Sequence, residues 1–289
     1  MVKVINRMES VSHEKNCGFV FDSHDIYVAS SRSITQFSAE AQDILFATED
    51  ISWWFQYRAQ VLIDMAERYF VRETETLDIG GGNGYTTGRM QKAGFRTALL
   101  EPSYEACRHA KTRGIPRVFC GTLNEFEEPI SQCMMLDVLE HIEDDAGFLC
   151  ALYSKMSTGG EVLLAVPALQ ILWSSEDEMA GHFRRYHLPN LCNLLEKSGF
   201  QVMYGTYFFS FLFLPVLFVR VGMERIGLLK RQEKRTDEER KKIMKEQFEE
   251  RKGIIGRALG WFEAWERARL LAGKQLPFGS SVLCVARKV

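Results

Sequence analysis

Residues Leu77 to Gly84, Leu-Asp-Ile-Gly-Gly-Gly-Asn-Gly, constrain this chain more than any other stretch. A short aliphatic run that ends in alternate glycines at 80, 82 and 84 reads as a strand passing through a tight turn into a helix. Such a turn lets main-chain amides touch a ligand that no side chain then obstructs. The helix behind it points unpaired N–H groups and a partial positive charge at the same place.

Downstream, strand-like and helix-like runs alternate. Strands are expected at Thr76 to Ile79, Thr97 to Leu100, Val118 to Cys120, Cys133 to Val138, Glu161 to Val166, Phe200 to Gly205 and Ser281 to Ala286. Helices are expected at Tyr85 to Ala93, Tyr104 to Thr112, Asp144 to Met156 and Asn190 to Lys197. Short aliphatic strands separated by helices imply βαβ crossovers and a sheet covered on both faces. The expected fold is α/β, a doubly wound, Rossmann-like sheet of seven mostly parallel strands, with a helical extension before it and a helical insertion ahead of the last strand. Its parts are residues 1–70 (extension), 71–206 (core), 207–275 (insertion) and 276–289 (closing strand).

In the extension, Phe19 to Phe21 and Ile26 to Ala29 read as strands or as a loose arm. Ile44, Leu45, Ile51, Trp54, Phe55, Arg58, Val61, Leu62 and Met65 recur near helical spacing. Trp53, Trp54, Phe55 and Tyr57 make that stretch aromatic, as core packing or as a lid on the ligand.

The insertion has a different character. Tyr207 to Val219 is almost wholly apolar, yet at about 13 residues it is shorter than the roughly 20 a spanning helix needs. Residues 220–252 then hold 12 Lys or Arg against 8 Asp or Glu, while the rest of the chain holds 24 against 30. Apolar surface beside basic residues suits a peripheral membrane anchor over 207–252; a core helix followed by a solvated charged helix reads equally well.

Overall charge excludes little but nucleic acid. With 36 basic and 38 acidic residues the formal charge is −2, which gives no bias toward polyanions. The seven cysteines are scattered, with no CxxC pair, so neither a metal site nor a disulfide framework is expected from them, and free thiols fit a reducing cytoplasm. The N-terminal Met-Val-Lys-Val-Ile-Asn-Arg-Met-Glu-Ser lacks the apolar core of a secretory signal. A cytoplasmic protein is expected, peripheral on the inner face of the membrane if the anchor reading holds.

Alone, the glycine turn also suits dinucleotide enzymes. A pyrophosphate fingerprint is G-x-G-x-x-G, and Gly80, Gly82 and Tyr85 fail its third position, although Gly81 and Gly84 leave a partial overlap. Asp78, directly before the turn, would repel a phosphate and attract a cation. Glu101, about 20 residues beyond the turn, is placed to accept from two ribose hydroxyls, or is a solvated strand end. Asp137, Glu140 and His141 follow the fourth strand, where polar residues border a ligand crevice. In Gly181-His-Phe-Arg-Arg-Tyr-His187, Arg184 and Arg185 can grip an anionic substrate, or pair with Glu176, Asp177 or Glu178.

The strings LDIGGGNGYTTGRM, LLEP, MLDVLEHIEDD, LLAVPA and GHFRRYHLPNLCNLLEKSGF resemble successive motifs of the class I S-adenosylmethionine methyltransferases, particularly a bacterial type similar to quinone-biosynthesis methyltransferases. The resemblance covers roughly residues 51–205, with Leu276 to Lys288 similar to the closing strand. It implies that Asp78, Gly80, Gly82 and Gly84 cradle the methionine and ribose of S-adenosyl-L-methionine. It also implies that Glu101 binds the ribose, Leu123 and Asn124 border the adenine, and Asp137 opens the substrate side. Many members carry an Asp beside the adenine where this chain has Gly-Thr-Leu-Asn.

The expected activity is direct in-line methyl transfer to a small-molecule or lipid-linked acceptor, with no metal required. A hydroxyl acceptor needs a base, for which His141, His182 and Tyr186 are the candidates. Two rivals remain: a nucleotide-binding oxidoreductase using NAD on the same turn, and a binding protein that has lost catalysis and acts as a membrane adaptor.

Overall fold

The computed structural model describes residues 18–30, 39–227 and 253–289. Among these, nine strands form one mixed sheet. They are β1 (Phe19–Phe21), β2 (Tyr27–Ala29), β3 (Thr76–Ile79), β4 (Thr97–Glu101), β5 (Arg117–Cys120), β6 (Ile130–Leu136), β7 (Met156–Pro167), β8 (Phe200–Phe208) and β9 (Ser281–Lys288). Their order across the sheet is β1-β2-β5-β4-β3-β6-β7-β9-β8. The run from β5 to β8 contains the seven strands expected from sequence. The hairpin β1–β2 adds two more, because Tyr27 and Val28 pair in parallel with Phe119 and Cys120 at the β5 edge.

β3 has every residue buried, and parallel pairing on both sides fixes it at the centre. From β3 the chain steps outward to β4 and β5, then returns to β6 on the other side of β3. This reversal leaves a crevice at the C-terminal ends of β3, β4 and β6, where open α/β sheets bind ligands. β9 runs antiparallel between β7 and β8.

Several helices start where the sequence offers a capping side chain. Ser52 accepts from the Phe55 amide at the start of α2 (Trp53–Tyr69), and Ser103 does so for Ala106 at the start of α4 (Tyr104–Thr112). Gly84 opens α3 (Tyr85–Lys92) in a left-handed conformation. α1 is Ala39–Glu49, α5 Asp145–Lys155, α6 Ser175–Ala180 and α7 Leu188–Lys197.

Between β8 and β9, α8 (Ser210–Pro215) leads into a π-helical segment, Val216–Gly222, and the chain returns through α9 (Gly253–Leu271). The apolar run expected over 207–219 is divided. Tyr207, Phe208 and Phe209 are buried, whereas Leu214 and Phe218 are exposed. Trp54 stacks on Phe209 with ring centroids 5.7 Å apart, and Tyr57 lies 5.1 Å from it, so these aromatics of α2 pack against the insertion. Buried Glu266 of α9 ties the parts together, accepting from Tyr57 Oη at 2.6 Å, the Phe209 amide at 2.8 Å and the Ser210 amide at 2.7 Å. Arg267 adds a two-armed ion pair to Asp64 at 2.7 and 2.9 Å. Among the described residues no helix is long and apolar enough to cross a membrane. The charged stretch 228–252 lies outside the described residues.

Candidate functional site

The glycine turn lines the crevice at the end of β3. Gly80, Gly82 and Gly84 have φ of +71°, +53° and +74°, a region that side-chain-bearing residues rarely enter. Their surroundings differ. A Cβ on Gly80 would meet Val138 Cγ2, and one on Gly84 would collide with Ile115 and Ala110. On Gly82 it would meet nothing within 4 Å. Gly80 and Gly84 are therefore glycine for packing, whereas Gly82 faces open space, as a ligand contact requires.

Two buried carboxylates flank the turn. Asp78 Oδ2 accepts from the Thr87 hydroxyl, while Oδ1 has no partner. Burial pushes the Asp78 carboxyl up to about 7, against the opposing effect of Thr87 and Arg58. Glu101, at the end of β4, accepts from the Ser103 amide at 2.8 Å and the Gly82 amide at 3.0 Å. Burial raises it too, and those amides oppose the rise.

Arg58 reaches this place from α2. It ion-pairs with Asp137, lies over the Trp54 ring at 4.5 Å and leaves Nε with no partner. Burial lowers its guanidinium to about 10, with Glu49, Glu140 and Asp78 opposing. Asp137 itself is held at φ +54°, a strained conformation for a non-glycine residue, while its amide donates to Ala165 at 2.9 Å. In the sequence Arg58 reads only as a member of the stripe on α2; a cation on the apolar face of a helix is the signal that marks it.

A second, more peripheral network fastens α1 to the turn. Buried Glu49 accepts from Arg113 at 2.9 Å and from the Asn83 amide nitrogen at 3.3 Å, and Arg113 Nε donates to the Asn83 carbonyl at 3.1 Å. Burial raises Glu49, against the pull of Arg113. Nothing in the local sequence marks this network, since its members are 30 and more residues apart.

The remaining candidates separate into groups. Leu123, three residues past the end of β5, is buried in the core, and Asn124 is exposed, its carbonyl accepting from Lys155 at 3.3 Å. Arg185 is held by Asp177 at 2.7 and 3.0 Å, and Arg184 by Asp145 at 2.7 Å and the Glu143 carbonyl at 2.6 Å. Both guanidinium groups thus have acidic partners within the chain. Tyr186 donates to Asp145 at 2.8 Å, and burial followed by that carboxylate pushes its hydroxyl well above the usual range, so it keeps its proton.

Glu140, His141 and His182 come together. Glu140 is fully buried and neither carboxylate oxygen has a hydrogen-bond partner. Burial pushes it up to about 8. His141 packs edge-on against His182 with ring centroids 4.7 Å apart, and burial with the neighbouring ring lowers it to about 4. His182 Nδ1 lies 2.8 Å from Asp177 Oδ1, and its Nε2 is 4.0 Å from Glu140 Oε1.

A family described as a methyltransferase domain matches residues 54–204. No curated protein matches the sequence. Among solved structures, a chain from the complex of the Haloferax volcanii Trm112 methyltransferase activator with a methyltransferase is 15% identical, at a TM-score of 0.55 over 88% of this chain and 99% of that one. Haemonchus contortus phosphoethanolamine N-methyltransferase 2, solved with S-adenosyl-L-methionine, is 16% identical at a TM-score of 0.54, and the match takes in 88% of this chain and 58% of that one. The [4+2]-cyclase SpnF is 13% identical at a TM-score of 0.53, over 88% of this chain and 96% of its own. At such identities the likeness is one of fold, and a fold shared with a cyclase leaves the reaction to be argued from the site.

Proposed function

Because this chain belongs to the methyltransferase domain family, we propose that it binds S-adenosylmethionine at the glycine turn and transfers its methyl group to a small acceptor. One observation carries the reading: next to a turn whose Gly82 faces open space, two buried groups of opposite charge that act on one another, Asp78 and Arg58, each keep an unpartnered polar atom. Asp78 Oδ1 suits an ammonium and Arg58 Nε a carboxylate, which together match the amino-acid end of this cofactor. Buried polar atoms left unpaired are costly, so a ligand that pairs both is strongly preferred. Glu101 would take the ribose hydroxyls, with Leu123 and Asn124 at the adenine edge. A dinucleotide has no zwitterionic end, and its pyrophosphate would meet the Asp78 carboxylate.

When bound, the cofactor supplies a methyl group already activated by its sulfonium. The chain then needs to orient the acceptor and exclude water. Tyr186 keeps its proton and His141 is lowered to about 4, which favours an acceptor needing little deprotonation by these side chains. The test is calorimetry of the full chain with S-adenosylhomocysteine against NAD. Stoichiometric binding of the first alone is expected, and binding of NAD alone overturns the reading.

A peripheral membrane role for the insertion is favoured by one further feature. Trp261, Phe262 and Trp265 of α9 and Phe218 before the basic stretch are exposed, with Trp261 63% accessible. Aromatic side chains beside basic residues suit an anionic interface. The protein is expected to float with phosphatidylserine-containing vesicles, and the double substitution of Trp261 and Trp265 by Ala is expected to reduce the bound fraction severalfold. Equal recovery from the soluble fraction with and without vesicles would remove this role.

A further inference from the structure

Three side chains near the crevice present only acceptors to one another. His182 Nδ1 is directed at Asp177, which leaves the lone pair of Nε2 toward Glu140. His141 makes a hydrogen bond to the Gly181 backbone while Nδ1 has no partner, so its other nitrogen carries the proton and Nδ1 a free lone pair. Both oxygens of the fully buried Glu140 also lack a hydrogen bond. One atom from each of the three residues can be chosen so that all lie within 4.8 Å of one another. The nearby arginines do not neutralise this carboxylate by contact, since Arg185 is paired with Asp177 and Arg58 with Asp137.

We propose that Glu140, His141 and His182 bind a divalent transition-metal ion of the zinc type. Two imidazoles and a carboxylate match zinc, cobalt or iron(II) in ligand preference and leave positions for an exogenous oxygen, whereas magnesium prefers an all-oxygen shell. Metal–ligand distances of about 2.0 to 2.2 Å put ligand atoms about 3.3 Å apart, so from their spacing of up to 4.8 Å the three side chains need to close by up to about 1.5 Å. The supports already stand behind them: Asp177 behind His182, with Arg185 holding Asp177, and the Gly181 backbone behind His141. Such outer contacts fix imidazole tautomers at metal sites. His141 and His182 keep partial exposure, which gives the ion a way in. The site departs from the expectation that no metal is required. Any part the ion plays with an acceptor oxygen rests on the methyl-transfer reading; its binding does not.

The experiment uses the full chain, stripped with chelator and titrated with Co2+ and Zn2+, with S-adenosylhomocysteine binding measured alongside. One equivalent of Co2+ is expected to give visible absorption bands of imidazole coordination, displaced by Zn2+. Glu140→Gln and His182→Ala are each expected to weaken binding at least a hundredfold, and Asp177→Asn about tenfold. S-adenosylhomocysteine binding retained in these variants shows that the fold persists. Absence of bands in the unsubstituted protein overturns the proposal and leaves the cluster a structural one. Bands unchanged in both Glu140→Gln and His182→Ala also overturn it, placing the ion elsewhere, for example at the exposed cluster of Asp43, Glu105 and His109. Metal bound without S-adenosylhomocysteine, or the reverse, separates the fate of this site from that of the cofactor reading.

Discussion

Gly82→Val is expected to yield a folded protein that has lost S-adenosylhomocysteine affinity at least a thousandfold, about 4 kcal/mol, while Gly84→Val fails to fold stably. Both positions carry positive φ, and a non-glycine residue there costs about 1–2 kcal/mol. What differs is the space beyond the missing Cβ. At Gly84 a side chain runs into Ile115 and Ala110, both fully buried, and overpacking adds about 1–3 kcal/mol. Together these remove about 2–5 of the roughly 5–15 kcal/mol that holds a domain folded, enough to leave the fold marginal. At Gly82 an added Cβ meets no protein atom within 4 Å, so the side chain extends into the volume assigned to the cofactor. Urea unfolding followed by circular dichroism, together with calorimetry, separates the two outcomes. Unchanged affinity in a folded Gly82→Val variant would show that the cofactor lies elsewhere.

Asp78→Asn is expected to act with opposite sign on stability and on binding. The carboxyl is raised to about 7 in the folded chain, so the native state holds its proton more tightly than the unfolded chain does. Its contribution to stability is complete below about 4, the unfolded value, and is lost as pH rises through 7. Above pH 7 the empty wild-type protein carries a buried carboxylate with one orphaned oxygen, and Asn relieves it of that charge. The variant is therefore more stable than wild type at pH 8 in urea titrations. Binding goes the other way. A cofactor ammonium requires the ionised carboxylate, so wild-type affinity rises with pH up to about 7 and weakens by up to tenfold per unit below it. Losing one partner of a desolvated charge pair costs about 2–5 kcal/mol, so Asn lowers affinity at least thirtyfold at pH 8. It also flattens the pH profile. A wild-type profile already flat between pH 5.5 and 8 would detach Asp78 from the ligand.

The sheet was legible in the sequence because parallel strands are short, aliphatic and separated by amphipathic helices. Thr76–Ile79, for instance, has the same limits in both readings. The place of β1 and β2 has no local signature, since three-residue strands carry almost no periodicity and the pairing of β2 with β5, which brings β1 along, is made across some 90 residues. The same reasoning applies to the site. The glycines, Asp78 and Glu101 stand out because one turn and one strand end display them. Arg58 reaches Asp137 across 79 positions, and that pairing is visible only after α2 has packed. The division of labour among the three glycines was equally hidden, because it depends on Val138, Ile115 and Ala110, which the turn itself does not encode. His141 and His182, 41 residues apart, are brought together by the segment after β7, and the burial of Glu140 near them has no local signature.

The placement of β9 bears on how the polypeptide matures. In the sheet, β8 has β9 as its one neighbour, and β9 also supplies the outer neighbour of β7. Residues 209–280 are synthesised between β8 and β9, so while the ribosome is still reading that stretch two long apolar strands stand with unsatisfied backbone edges. The sheet closes only when the late strand slides between them, so the pairing of this half waits on a segment made some 70 residues after β8.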